Sequence, residues 1–70
     1  MNNETLVAFG NRVRKLRKAK HISQERLAEL SGIDRSYMGE IERGEKNIGL
    51  LKITQVAAAL DVTISELFNY

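Results

Sequence analysis

The sequence predicts an all-α fold, a compact domain of five short helices spanning residues 1–70. Three observations carry this. The 70 residues contain no Pro, so no helix is interrupted by a missing N–H or a ring clash. Apolar residues recur at three- and four-residue steps, and no stretch alternates in the manner of a strand. Helix-starting and helix-ending residues fall at regular intervals, with Ser23, Asp34 and Thr63 as N-caps and Gly32 and Gly44 as terminators.

The first helix is expected from about Thr5 to Lys18, with Leu6, Phe9, Val13 and Leu16 on one side and basic residues on the other. The second begins after Ser23, presents Leu27, Ala28 and Leu30 as its apolar side, and stops at Gly32. The third begins after Asp34, carries Met38 and Ile41, and ends at Gly44. A polar loop from Glu45 to Gly49 leads to a fourth helix, Leu50 to Leu60, with Ile53, Val56, Ala57 and Leu60 turned inward. Thr63-Ile64-Ser65-Glu66 reads as a capping box opening a short fifth helix with Leu67 and Phe68. Helices this short are unstable alone. Leu16, Leu27, Ile33, Met38, Ile41, Ile53, Val56, Leu60 and Leu67 are the residues expected to pack them together.

Composition excludes several classes. Hydrophobic residues at 43% indicate a folded globule rather than a disordered chain. With no Cys there is no disulfide and no thiolate metal site, and the single His21 makes no metal site and is read as a surface loop residue. No apolar run approaches the roughly 20 residues that cross a bilayer, and the polar start, Met1 to Glu4, lacks the features of a signal peptide, so a cytoplasmic location is expected. One His, no Cys and no suggestive carboxylate pair argue against an enzyme, and so small a core leaves little room for a substrate pocket. No cofactor, metal or small-molecule effector is expected.

The net charge of +2 hides an uneven distribution. The first twenty residues carry six Lys or Arg against Glu4, a net of +5, residues 21–47 carry a net of −2, and the remainder −1. A polyanion would meet the first helix and isolated cations elsewhere. Arg12, Arg14, Lys15 and Lys18 read mainly as a solvated face.

The informative stretch runs from Gln24 to Arg43. Two short helices are joined by a tight turn, Ser31-Gly32-Ile33-Asp34. Ala28 is small where the helices must approach, Gly32 permits the positive φ of the turn, and Leu27, Ile33, Met38 and Ile41 bury the inner faces. Small residue, turn glycine and spaced apolar anchors in register form a helix-turn-helix pattern over residues 24–43. With Met38 and Ile41 inward, positions 35, 36, 39, 40 and 43 are expected to face outward. On such a surface Arg35 can donate twice to a guanine edge and Ser36 can pair with several bases. Glu40 can accept from a cytosine amino group or orient Arg35. Ser23 and Gln24 at the start of the second helix, and Arg43, Lys46 and Asn47 after the third, suit the phosphate backbone. Tyr37 either packs on the core or presents its hydroxyl to a phosphate.

From Ile22-Ser23-Gln24-Glu25-Arg26-Leu27-Ala28 through Ile33-Asp34-Arg35-Ser36-Tyr37-Met38 to Ile41-Glu42-Arg43-Gly44, and again over Leu50 to Phe68, the chain resembles the Xre/Cro-like regulators, which include the lambdoid phage repressors. The short length and the residues around Asp34-Arg35-Ser36-Tyr37, Ile41-Glu42-Arg43-Gly44 and Lys46-Asn47 resemble controller proteins of restriction-modification systems. The chain departs from the common pattern at Arg26, where an acidic residue often completes a capping box, and at Gly49, where a Ser often caps the fourth helix. The resemblance implies a lambda-repressor-like fold, double-stranded DNA as partner, transcription regulation with autoregulation, and a shielded ion pair between Arg17 and Glu42.

A homodimer on a two-fold operator is also expected. Leu50, Leu51, Val62, Ile64, Phe68 and Tyr70 exceed what one small core needs, so the dimer interface is placed within residues 48–70. The competing reading is a protein-interaction module, such as an antitoxin or anti-regulator that keeps the fold. Apolar residues at positions 35, 36, 39 and 40 would mark it, and the chain has Arg, Ser, Gly and Glu there.

Overall fold

A computed structural model describes residues 4–70, so positions 1–3 of the expected domain lie outside the described range. Five helices follow in order: α1 Glu4–Ala19, α2 Gln24–Ser31, α3 Arg35–Glu42, α4 Leu50–Leu60 and α5 Ile64–Leu67. Each start has a local cause. The Ser23 hydroxyl accepts from the Arg26 amide at 2.9 Å, and the Asp34 carboxylate accepts from Ser36 at 3.0 Å and Tyr37 at 3.4 Å. Thr63 and Glu66 close a reciprocal capping box. Caps of this kind stabilise a helix by about 1 kcal/mol. Gly49 provides no side-chain cap for α4, as its lack of a side chain dictates.

The turn between α2 and α3 depends on Gly32, whose φ of +68° lies in the left-handed region. Its N–H and that of Ile33 return to Glu29 and Ala28, closing α2. The chain then enters α3 directly.

α2 packs on both α3 and α4, while α1 lies across α3 and touches α5. One buried cluster joins them: Phe9, Val13, Leu27, Ala28, Ile33, Met38, Ile41, Ile48, Val56, Ala57, Leu60 and Leu67. Leu16 and Ile53, expected in the core, are only half-buried at its margin. Leu30, expected on the apolar side of α2, is 46% exposed, because the contact surface of that helix runs through Leu27, Ala28 and Ser31. Ile48 is buried although it sits in the polar loop.

Close approach of α1 to α3 is set by Gly10. A β-carbon there would stand 2.4 Å from the Ile41 carbonyl oxygen and 2.7 Å from that of Glu42. The two helices therefore meet backbone to backbone at the end of α3. The Gln55 amide adds a bond from α4 to the Ser31 carbonyl at 3.0 Å, and Arg12 ties α1 to the Glu66 carbonyl at 3.0 Å. No buried side-chain nitrogen or oxygen among the described residues lacks a partner. Among them, no helix is long and apolar enough to cross a membrane.

Candidate nucleic-acid interface

Beneath α3 lies a buried ionic anchor. Arg17 Nε donates to Glu42 Oε2 at 2.7 Å and Arg17 Nη2 to Glu42 Oε1 at 3.1 Å, with 12% and 4% of the two side chains exposed. Arg17 Nη1 also donates to the Ile22 carbonyl at 3.0 Å. α1 is thereby fixed to the end of α3 and to the residue leading into α2. Gln24 extends the network, its amide nitrogen donating to Glu42 Oε1 at 3.1 Å. Sequence reasoning placed Gln24 at a phosphate. The structure gives one of its N–H groups to Glu42, which leaves the other available.

The outward side of α3 carries groups of a different character. Arg35, in the first turn, is exposed and pairs with no other described residue. Ser36 is exposed beside it. Glu40 is half-buried, with Lys46 Nζ 3.9 Å from its carboxylate. Arg43 makes a two-pronged bridge to Glu45, at 3.0 and 3.3 Å. The hydrogen bonds to Glu45 and its charge raise the Arg43 guanidinium above its ordinary pKa. Ser23 and Asn47 are exposed, and the Ser23 oxygen accepts from Arg26 while its hydroxyl proton remains free to be donated.

Tyr37 is half-buried against the core margin, and its ring face is met by Lys46 at 5.8 Å and by Lys52 at 5.2 Å. Lys52 belongs to α4, and sequence reasoning did not single it out. Its place beside Tyr37 arises only when α4 folds back on the helix pair, and no local spacing signals that. Arg12, expected on a solvated face, is half-buried and committed to α5, whereas Arg14, Lys15 and Lys18 are exposed. His21 is an exposed turn residue with φ +59°.

Position 39 corrects one expectation. Gly39 does not stand open on the outward face but is buried beneath the side chains of Arg43 and Gln24. A glycine has no side chain to hold them off, and both close over it.

The apolar residues assigned to a second surface divide. Among the described residues Leu50 and Leu51 are the most exposed large hydrophobics, at 71% and 79%, and Ile64, Phe68 and Tyr70 are exposed as well. Val62 is instead half-buried against the core. Phe68 also stacks on Phe9, with ring centroids 5.1 Å apart.

The helix-turn-helix family model matches residues 13–67, which spans the ion pair, both helices of the turn, α4 and all of α5. The chain belongs to the helix-turn-helix family of DNA-binding regulators. Among its relatives, the control protein C.MunI of a Mycoplasma species is 41% identical over 68 residues, covering 96% of this chain and 92% of that protein. The control protein C.BamHI of Bacillus amyloliquefaciens is 37% identical over 71 residues, covering 100% and 88%. This helix-turn-helix chain also superposes on the crystal structure of the restriction-modification controller protein C.AhdI from Aeromonas hydrophila with a TM-score of 0.90. That likeness has 56% identity and covers 91% of this chain and 97% of the other.

Proposed function

We propose that this helix-turn-helix regulator controls restriction-modification genes by binding a two-fold operator as a homodimer, its own gene included. The observation that carries the reading is the contrast on α3. Its inner end is locked by the Arg17–Glu42 pair, while its first turn holds Arg35 exposed and unpaired. A recognition helix needs a fixed frame and a free hydrogen-bonding fork, because its N-terminal residues reach deepest into the major groove.

Arg35, Ser36 and Glu40 are assigned to base edges. Ser23, Gln24, Tyr37, Arg43, Lys46 and Asn47 are assigned to the backbone, with Lys52 added beside Tyr37. Residues 1–70 act as one DNA-binding domain, with the helix-turn-helix at about 24–43 and dimerisation at about 48–70. Leu50, Leu51, Ile64, Phe68 and Tyr70 supply the dimer contact, and Val62 backs it from the core margin. Two recognition helices then lie roughly 34 Å apart, one turn of DNA. The setting is the cytoplasm, and occupancy follows the protein's own concentration without an effector.

Selection of bound sites from a random DNA pool tests the reading. A two-fold site with guanine at a symmetric position is expected. Recovery of no DNA, at low salt and at protein concentrations where a dimer sediments, would favour the interaction-module reading instead.

A further inference from the structure

Gly39 occupies the interior of α3, where glycine weakens a helix relative to alanine. Three other glycines have a structural reason. Gly10 admits the Ile41 carbonyl, Gly32 and Gly44 have positive φ, and a β-carbon at Gly44 would also meet the Val7 backbone at 2.7 Å. Nothing of that kind applies at position 39. Its φ is helical, and a β-carbon there would meet no backbone and no core residue. Its nearest neighbours would be Arg43 Nη1, at 3.1 Å, and Gln24 Oε1, at 3.3 Å.

Those two neighbours are not equally free to move. Gln24 is held from below by Glu42, which is itself held by Arg17. Arg43 is tethered only by the exposed Glu45. An added methyl group would therefore leave Gln24 in place and make the Arg43 guanidinium give way, by a few tenths of an ångström at its nearest nitrogen. With glycine present, Arg43 Nη1 and Gln24 Oε1 both stand over position 39. The remaining guanidinium donors and the second Gln24 N–H then come from neighbouring points, the turn after α3 and the start of α2, where one stretch of DNA backbone can meet both.

We infer that Gly39 is a positioning residue for DNA binding: its missing side chain seats the Arg43 guanidinium beside Gln24 so that both meet the same stretch of the DNA backbone. The inference rests on the regulator reading above. The fold itself does not need this glycine, so stability and binding should respond to Gly39→Ala in opposite directions.

The test compares the full chain with Gly39→Ala, Arg43→Ala and the double variant, in thermal unfolding and in titrations of operator and random duplexes across a salt series. Gly39→Ala is expected to melt at or above the parent temperature, because alanine favours the helix. The same variant is expected to bind operator about threefold to sixfold more weakly near 0.1 M salt, as the loss of one phosphate contact partly offset by Glu45 implies. Adding it to Arg43→Ala should change binding by less than about twofold, because the group it displaces is already gone. Binding of Gly39→Ala within about twofold of the parent, a lowered melting temperature, or an undiminished penalty without Arg43 would each overturn the inference. Failure of the parent to bind duplex DNA with salt dependence would instead sink the regulator reading, so the two failures are distinct.

Discussion

The surface around α3 and the surface shared by α4 and α5 rest on one core but present opposite chemistry. Around α3 nearly every ionic group has a partner, with Arg17 on Glu42, Arg43 on Glu45 and Lys46 near Glu40. On α4 and α5 large apolar side chains stand exposed, and the described residues leave Leu50 and Leu51 71% and 79% exposed. The difference shows how 70 residues can serve two partners. A polyanion meets a face whose charges are arranged in advance. An apolar face is complete only against another apolar face, and in the proposed dimer a second copy of the chain supplies one.

The first way to break this contrast is at the anchor beneath α3. Removing one member of a shielded ion pair strands the other, at a cost of about 3–5 kcal/mol. The two deletions are expected to differ. Arg17→Ala leaves the Glu42 carboxylate with Gln24 alone, whereas Glu42→Ala leaves Arg17 its bond to the Ile22 carbonyl and a more exposed position. Arg17→Ala should therefore be the more damaging, and in a domain with only about 5 kcal/mol in hand it should be largely unfolded at 37 °C. Urea denaturation of both variants measures this. Equal, small shifts of the midpoint would mean that the pair is solvated in solution.

Sharpening the other side of the contrast requires a change that touches association and leaves the fold intact. Leu51→Glu places a charge where the side chain is 79% exposed, so monomer stability should move by no more than about 0.5 kcal/mol. If the residue sits centrally in a dimer contact, the substitution should weaken association by about 2–4 kcal/mol, or roughly 30- to 1000-fold. Sedimentation equilibrium reads it. An unchanged dimer would move the interface away from the first turn of α4.

Much of this arrangement is legible in the sequence, and the reason is that its signals are local. A capping side chain reaches an amide two or three residues away, so Ser23, Asp34 and Thr63 announce their helices without help from the rest of the chain. The 3.6-residue period likewise names the core faces of α1 and α4. What escapes depends on contacts between distant segments. Ile48 lies in a polar loop with no periodicity and becomes core only through tertiary packing into the shared cluster. The covering of Gly39 by Arg43 and Gln24 needs α2 and α3 in register. Lys52 reaches Tyr37 from a different helix. The site residues missed or misplaced are thus those defined by tertiary proximity.

Within the α3 surface, Arg35 and Arg43 form a smaller version of the same contrast, one free and one paired. Arg35→Ala should reduce operator affinity by about 1–3 kcal/mol and relax the preference at one symmetric base pair, because a bidentate guanine contact is lost. Binding to random duplex should change little. Titrating both duplexes with the variant decides it, and equal losses on the two would mean that Arg35 acts by charge alone.

The smallest effect concerns the paired member. An unpaired cation that meets a phosphate contributes about 0.9 to the salt slope of binding. Arg43 starts from a two-pronged bridge to Glu45, so meeting a phosphate means leaving a carboxylate that then gathers its own counterion. Counterions released from DNA are offset in part by those taken up at Glu45. Arg43→Ala should therefore lower the slope by clearly less than one such contact, to a similar degree on operator and random duplexes. Glu45→Gln should do the reverse, steepening the slope and tightening both complexes without changing their ratio, because the competitor is removed and the base contacts are untouched. Binding isotherms over a salt series resolve these differences. A full-contact loss on Arg43→Ala together with no response to Glu45→Gln would mean that the bridge is too weak in water to compete, as many exposed pairs are. The paired and unpaired arginines of the α3 surface would then differ only in where they point.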